Sequence, residues 1–170
     1  MQFISIGKKT SAYYQRWAIS PEKIIEAKYC IDTKFFYLND EEAASTRANI
    51  RKSLGIPADS LVILFVGRLF DRKRPFDVLN VHKALDDISI IHTIAIGNGV
   101  LEEGFQRQAK EIPRFHAVGF KNQKETRDFY YAADLLYVPS EYETWGLVVN
   151  EAFVAGIPAI VTNTCGVADD

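Results

Sequence analysis

From Leu61 onward, short apolar runs, each closed by glycine or proline, alternate with stretches of helical character, and this alternation confines the chain to one fold class. Leu61-Val-Ile-Leu-Phe-Val66 is an unbroken apolar run rich in β-branched residues and is ended by Gly67. Ile90 to Ile96, interrupted by His92 and Thr93, is ended by Gly97-Asn-Gly99. Phe115 to Val118 runs into Gly119, Leu135 to Val138 into Pro139, and Ala159 to Val161 is a fifth such segment. Between them lie helical patterns over Pro75–Leu85, Leu101–Glu111, Gln123–Ala133 and Leu147–Ala155. Strands that are apolar on both faces and alternate with helices predict a parallel sheet covered on both sides. Right-handed crossovers then favour a doubly wound α/β sheet with strand order 3-2-1-4-5.

The residues before this region read differently. Phe3-Ile-Ser-Ile6 predicts a short strand, Ser11 to Trp17 a helix, and Lys23 to Tyr29 another extended piece. A polar helix is expected from Asn39 to about Leu54, with Asn39 as N-cap, Asp40 and Glu41 at the positive helix end, and Gly55 as the stop. The chain is therefore divided into a lead-in, residues 1–59, packing on an α/β domain, residues 60–170.

The 170 residues carry a net charge of −2, which gives no reason to expect nucleic acid or an anionic membrane as a general partner. No apolar run reaches the length of a membrane span, and the opening Met1-Gln-Phe-Ile-Ser-Ile-Gly7 lacks a basic leader. A cytoplasmic location is expected. Cys30 and Cys165 stand apart with no metal-ligand spacing and are expected to be small buried hydrophobes. His82, His92 and His116 lack partners at metal or triad spacing and read as structural, and Phe129, Tyr130 and Tyr131 read as cover for the sheet.

In a doubly wound sheet the ligand crevice lies beyond the strand carboxyl ends, where the strand order reverses. Here that point falls between the first and fourth strands, so the loops Gly67-Arg-Leu-Phe-Asp-Arg-Lys-Arg74 and Ser140-Glu-Tyr-Glu-Thr-Trp-Gly146 should converge on it. Arg68 and Lys73 could clamp a diphosphate beside the free N–H groups of a helix start. A solvated basic turn is the competing reading of that loop. Gly146 permits close backbone approach at the entrance of the next helix. Glu143 and Glu151 could each accept from paired sugar hydroxyls. By spacing alone, Glu151 beside Asn150 reads more readily as a narrow solvent stripe. Gly97-Asn-Gly99 follows the second strand and lacks the third glycine of a dinucleotide loop, so no nicotinamide or flavin site is placed on it.

These residues resemble a known family. Glu143-x7-Glu151, within Pro139-Ser-Glu-Tyr-Glu-Thr-Trp-Gly-Leu-Val-Val-Asn-Glu-Ala-Phe-Val-Ala-Gly-Ile-Pro158, is similar to the signature of the group 1 glycosyltransferases, retaining enzymes of the GT-B fold. Val66-Gly-Arg-Leu69 with Lys73, Ile96-Gly-Asn-Gly99, Val118-Gly-Phe120, Tyr131-Ala-Ala-Asp134 and Gly156-Ile-Pro158 follow in the family's order. The resemblance covers roughly Leu61 to Asp169 and implies the Rossmann-like, C-terminal, donor-binding half of such an enzyme.

The resemblance further implies a nucleoside-diphosphate sugar as donor and no metal or other cofactor at this site. By the family pattern Arg68 and Lys73 hold the diphosphate together with backbone around Trp145, Gly146 and Leu147, Glu143 meets the hexose, and Glu151 takes the ribose hydroxyls. Gly67, Gly97, Asn98, Gly119, Phe120 and Thr144 complete the expected donor site, and Glu143, Arg68 and Lys73 are the candidate catalytic residues. The chain departs from the pattern at Asn98, Trp145 and Arg74, which leaves base and sugar preference open. Family members carry an acceptor domain before this half, echoed here only by Ile6-Gly7, Tyr13-Tyr14 and Cys30-Ile-Asp32, and a sixth strand after it. The expectation is a fragment, incomplete at its C-terminus, that binds donor but transfers little alone and meets a membrane only through the other half. A non-catalytic sugar-nucleotide-binding module and an epimerase-like GT-B domain stand as alternatives.

Overall fold

The computed structural model describes residues 1–170, and its seven strands fall into two separate parallel sheets. In the first, β1 (Phe3–Ser5) pairs with β2 (Ile24–Glu26) across the helix α1 (Lys8–Arg16). This helix starts three residues earlier than the sequence suggests. The Ser11 hydroxyl is engaged with that of Ser5 at 2.7 Å, and the first turn closes on the carbonyl of Gly7. The extended piece is also shorter than expected, because Pro21 opens a 3-10 turn over Pro21–Lys23 and the ladder ends where Ala27 N–H meets the Ser5 carbonyl.

Two capped helices come next. Asp32 accepts from the amides of Lys34 and Phe35 to start α2 (Thr33–Phe36). Asn39 and Glu42 form a reciprocal capping box at the start of α3 (Asp40–Ser53), and Gly55, at φ +67°, sits where the helix was expected to stop.

The second sheet is built from β3 (Leu61–Val66), β4 (Ile91–Ile96), β5 (Phe115–Gly119), β6 (Leu135–Val138) and β7 (Ala159–Val161), in the spatial order β5-β4-β3-β6-β7. This is the predicted 3-2-1-4-5 order. The crossovers are α4 (Pro75–Ala84), α5 (Glu102–Ala109), α6 (Gln123–Ala132) and α7 (Leu147–Val154), each within a residue or two of its expected bounds. On one face Val62, Leu64, Ile94, Ile96, Leu136 and Val138 pack with Phe129 and Tyr130 of α6 and Val149 and Ala152 of α7. On the other, Phe65, Ala95 and Phe115 pack with Val78 and Leu79 of α4 and Phe105 of α5. The period-two alternation of each strand feeds both layers. No helix is long and apolar enough to cross a membrane.

The residues before the main sheet are fastened to it through charge. Arg47 and Arg51, one turn apart on α3, donate to the terminal carbonyls of α6 and to Asp134 just beyond it. Asp134 Oδ2 also accepts from the Val62 amide at 2.7 Å, so one carboxylate joins α3, the end of α6 and β3. Burial alone would push this carboxyl up. The hydrogen bonds from Arg47 and Val62 and the charges of both arginines outweigh that and hold it below its ordinary value. At the opposite end, Gly7 lies so close to Trp145 that a Cβ on it would be 2.5 Å from the indole.

One expectation needs correction, and two gain detail. Cys30 is exposed, because it lies in the irregular stretch between β2 and α2, whereas Cys165 is buried as expected. His92 and His116 are not isolated. They occupy neighbouring strands on one face, and their rings stack with Nδ1 and Nε2 3.1 Å apart. Tyr130 and Tyr131 do more than cover the sheet: the Tyr131 hydroxyl accepts from Leu38 N–H and donates to the Phe36 carbonyl, and that of Tyr130 reaches a carboxylate.

Replacing Asp134 by Asn leaves the Arg51 guanidinium, 3% exposed, without its counter-charge, and should lower stability by about 3–5 kcal/mol in chemical denaturation. A second expectation concerns acid. Burial, then the neighbouring His92 and His82, lower His116 to about 4. Its folded value lies below its unfolded one, so its contribution is intact above the unfolded value near 6.5 and fades as pH falls toward 4. A His116→Gln variant should show a shallower loss of stability across that window.

Candidate functional site

The carboxyl ends of β3, β4 and β5 are laced together by backbone. Gly67 N–H donates to Ile96 O at 3.0 Å and Gly97 N–H to Gly119 O at 2.9 Å, while Leu69 exchanges hydrogen bonds with Asn98 O and Leu101 N–H. The loop leaving β3 therefore runs directly over the turn leaving β4. A Cβ on Gly97 would collide with the Gly67 carbonyl, and one on Gly99 would come within 2.6 Å of Leu69 O. Both residues have φ above +150°, in the region that favours glycine. The Gly-Asn-Gly motif is thus required by the approach of two loops.

Above this lacing lies a cavity of about 260 Å³ lined by Gly67, Arg68, Gly97, Asn98 and Phe120, together with Lys121 and Thr126. Five expected donor-site residues meet here. Gly119, at φ +72°, contributes its carbonyl to the lacing and does not line the cavity. The Arg68 guanidinium stands 5.7 Å over the Phe70 ring. Lys121 was legible as the neighbour of Phe120, whereas Thr126 enters from the first turn of α6 and had no motif to mark it.

A second cavity, about 420 Å³, opens between the loops after β3 and β6. Asp71–Lys73 form a 3-10 turn, and Arg74, in the left-handed region at φ +51°, redirects the chain into α4 at Pro75. The turn places Lys73 in an ion pair with Glu143, both largely buried, and the Glu141 amide donates to Arg72 O at 2.8 Å. Glu143, Thr144, Trp145, Gly146 and Leu147 line the cavity with Lys73, joined by Tyr29 and Val148, which sequence reasoning missed. Tyr29 comes from the lead-in, where no local pattern indicated that it would cross to the site.

The Glu143–Gly146 loop is held by the C-terminal turn and by α7. Gly166 N–H donates to Glu143 O and Val167 N–H to Trp145 O, and the Trp145 indole donates to Asn150 Oδ1 at 2.9 Å. Gly146 enters α7 at φ +105°, so no side chain caps this helix, and the Leu147 and Val148 amides at the cavity lining lack protein acceptors. Unsatisfied first-turn amides favour an anion. Burial, then the Arg72 charge, push the Lys73 ammonium down from its ordinary value.

Arg68 and Lys73 line separate cavities, because the Asp71–Lys73 turn carries Lys73 away from the β3 exit. Glu151 lines neither. The solvent-stripe reading of Asn150 and Glu151 does not survive: Asn150 accepts from Trp145, and Glu151 accepts from the buried hydroxyl of Tyr130 at 2.6 Å. Burial raises the Glu151 carboxyl, with the phenol hydrogen bond acting the other way.

Two cavities at the carboxyl edge of a doubly wound sheet, with a basic loop on one side of the strand-order reversal and an acidic loop on the other, define the Rossmann-like half of a GT-B glycosyltransferase. The family model described as glycosyl transferases group 1 matches residues 46–169, and the chain belongs to that family. It is 32% identical over 151 residues to the D-inositol 3-phosphate glycosyltransferase of Mycobacterium leprae, covering 86% of this chain and 34% of that protein. Among solved structures it resembles Anabaena Alr3699/HepE in complex with UDP and glucose, with a TM-score of 0.76 at 16% identity over 99% of this chain and 46% of that one. It also resembles WaaG, a glycosyltransferase involved in lipopolysaccharide biosynthesis, with a TM-score of 0.76 at 23% identity over 98% and 45%. The chain spans about a third of the length of the curated relatives it matches.

The lacing of the strand ends can be tested alone. Gly97→Ala forces a Cβ against the Gly67 carbonyl and should cost about 2–4 kcal/mol in urea denaturation. Gly104→Ala, on α5, where a Cβ meets nothing nearer than 3.8 Å, should be neutral or slightly stabilising.

Proposed function

We propose that this chain is the donor-binding half of a retaining glycosyltransferase that transfers a hexose from a nucleoside-diphosphate sugar to an acceptor in polysaccharide, lipopolysaccharide or other glycoconjugate biosynthesis. The observation that carries the proposal is the meeting of Lys73, Glu143 and the uncapped N-terminus of α7 at one cavity on the switch point of the sheet. Lys73 and the α7 amides hold the diphosphate, and Arg68 reaches it from the neighbouring cavity, where Asn98 and Phe120 border the base. The positive charge stabilises the departing nucleoside diphosphate without a metal. Glu143 takes hydroxyls of the hexose and Glu151 those of the ribose.

The acceptor enters from a preceding domain of the parent protein, so in this proposal residues 1–59 serve as the interdomain lead-in and residues 60–170 as the donor domain. The chain alone binds donor but does not turn it over. A cytoplasmic setting, with any membrane contact made through the acceptor half, belongs to the same proposal. The proteins with matching folds that hold UDP, or UDP with glucose, support a nucleotide ligand for this crevice.

Calorimetric titration of the folded chain with UDP, GDP and ADP tests the site. At least one should bind, and Lys73→Ala should weaken it about tenfold or more, the scale of a lost charge-assisted contact. A folded sample that binds none of the three, or a Lys73→Ala variant that binds as well as the parent, overturns the assignment.

A further inference from the structure

Tyr130 is the largest fully buried side chain in the molecule, packed against Phe36 and lying one helical turn beyond Thr126, which lines the first cavity. Packing would be met equally by phenylalanine. The hydroxyl is the part that packing does not explain, and it makes one contact, a 2.6 Å hydrogen bond to Glu151 Oε2 across the gap between α6 and α7. Burial raises the phenol well above its ordinary range, so it stays protonated and is always the donor. The other carboxylate oxygen, Oε1, has no protein donor, and Glu151 as a whole is only partly buried.

A glutamate side chain has three rotatable bonds, and the last is broad and nearly two-fold. A hydrogen bond from a rigid buried ring fixes that last torsion and leaves one acceptor oxygen committed to the protein and one available. Restricting the group before the ligand arrives lowers the ordering cost of binding. A charged acceptor with one fixed oxygen suits a ligand hydroxyl, which donates a single proton along a defined direction.

We propose that Tyr130 is a positioning residue for the donor nucleotide: its hydroxyl pins one oxygen of Glu151 and presents the other to the ribose hydroxyls. The inference rests on the proposed role of Glu151 at the ribose. It adds a residue that touches no ligand but sets the preference for a ribose over a sugar lacking one of those hydroxyls.

The test titrates the wild-type chain, Tyr130→Phe and Glu151→Gln with uridine, guanosine and adenosine diphosphates and with their 2′-deoxy and 3′-deoxy counterparts, with thermal unfolding confirming that each variant is folded. The wild type should prefer its best ribonucleotide over at least one deoxy counterpart by about tenfold, the scale of one hydrogen bond to a charged group. Tyr130→Phe should reduce that preference to about threefold or less by weakening the ribonucleotide alone. Glu151→Gln should reduce it at least as far. A Tyr130→Phe chain that keeps the full preference, or that weakens ribo and deoxy ligands alike, shows that the hydroxyl serves packing only and overturns the inference. A wild type that binds but never discriminates removes the ribose role of Glu151 and the inference with it, while a wild type that binds no nucleotide places the failure in the donor site itself. Carbon NMR of the wild type tests the same coupling without a substitution. The Glu151 carboxyl and Tyr130 Cζ signals should move together on adding the ribonucleotide and stay put with the deoxy compound that loses affinity, and equal movement with both overturns the inference.

Discussion

The parallel pairing of β3 with β6 is the constraint on which the rest of the site depends. Only Ile63 with Leu135 and Leu64 with Leu136 are in register, but this contact is where the sheet stops winding one way and starts winding the other. The chain leaves β3 toward β4 and β5 on one side and leaves β6 toward β7 on the other, so the two exit loops part and a crevice opens between them. The loops are then tied back across it by the Arg72–Glu141 backbone bond and the Lys73–Glu143 pair. A pocket with fixed walls results, its geometry inherited from strand order.

Most of this was legible in the sequence for a physical reason. Strands buried on both faces must be continuously apolar, so Leu61–Val66 and Leu135–Val138 announce themselves, and the alternation with helices sets the winding. The Asn39 cap was legible because asparagine suits an N-cap and the carboxylates after it suit the positive helix end, and the structure adds Glu42 as its reciprocal partner. Non-local partners were not legible. Asn150 looks solvated until the Trp145 indole finds it, and Glu151 until the Tyr130 hydroxyl does. Arg68 and Lys73, five positions apart in one basic loop, read as a single clamp. The left-handed Arg74 and the turn before it separate them, and no composition signal predicts a left-handed arginine.

The same contrast separates two kinds of glycine in this crevice. Gly97 and Gly99 are required by another backbone: the loop from β3 passes so close that no side chain fits, and that closeness keeps Arg68 and Asn98 on a common wall. Gly146 is required by its own φ of +105°, with nothing nearer than 3.5 Å to an added Cβ. Its service is to leave α7 without a side-chain cap, so that the first-turn amides line a cavity. One motif builds the wall, and the other exposes a partial positive charge along it.

The Lys73–Glu143 pair gives the second cavity its chemical character. Two opposite charges held in contact while largely buried make a strong local dipole, and burial works against the ammonium. In the proposed function an arriving diphosphate offers Lys73 more negative charge than one carboxylate does, and the α7 amides accept the remainder. Glu143 would then be released from the lysine at the point where a hexose joined to that diphosphate must lie. In that proposal the ion pair keeps both groups satisfied until the ligand that needs each of them separately is bound, and a substitution at either residue would leave the other as an uncompensated buried charge.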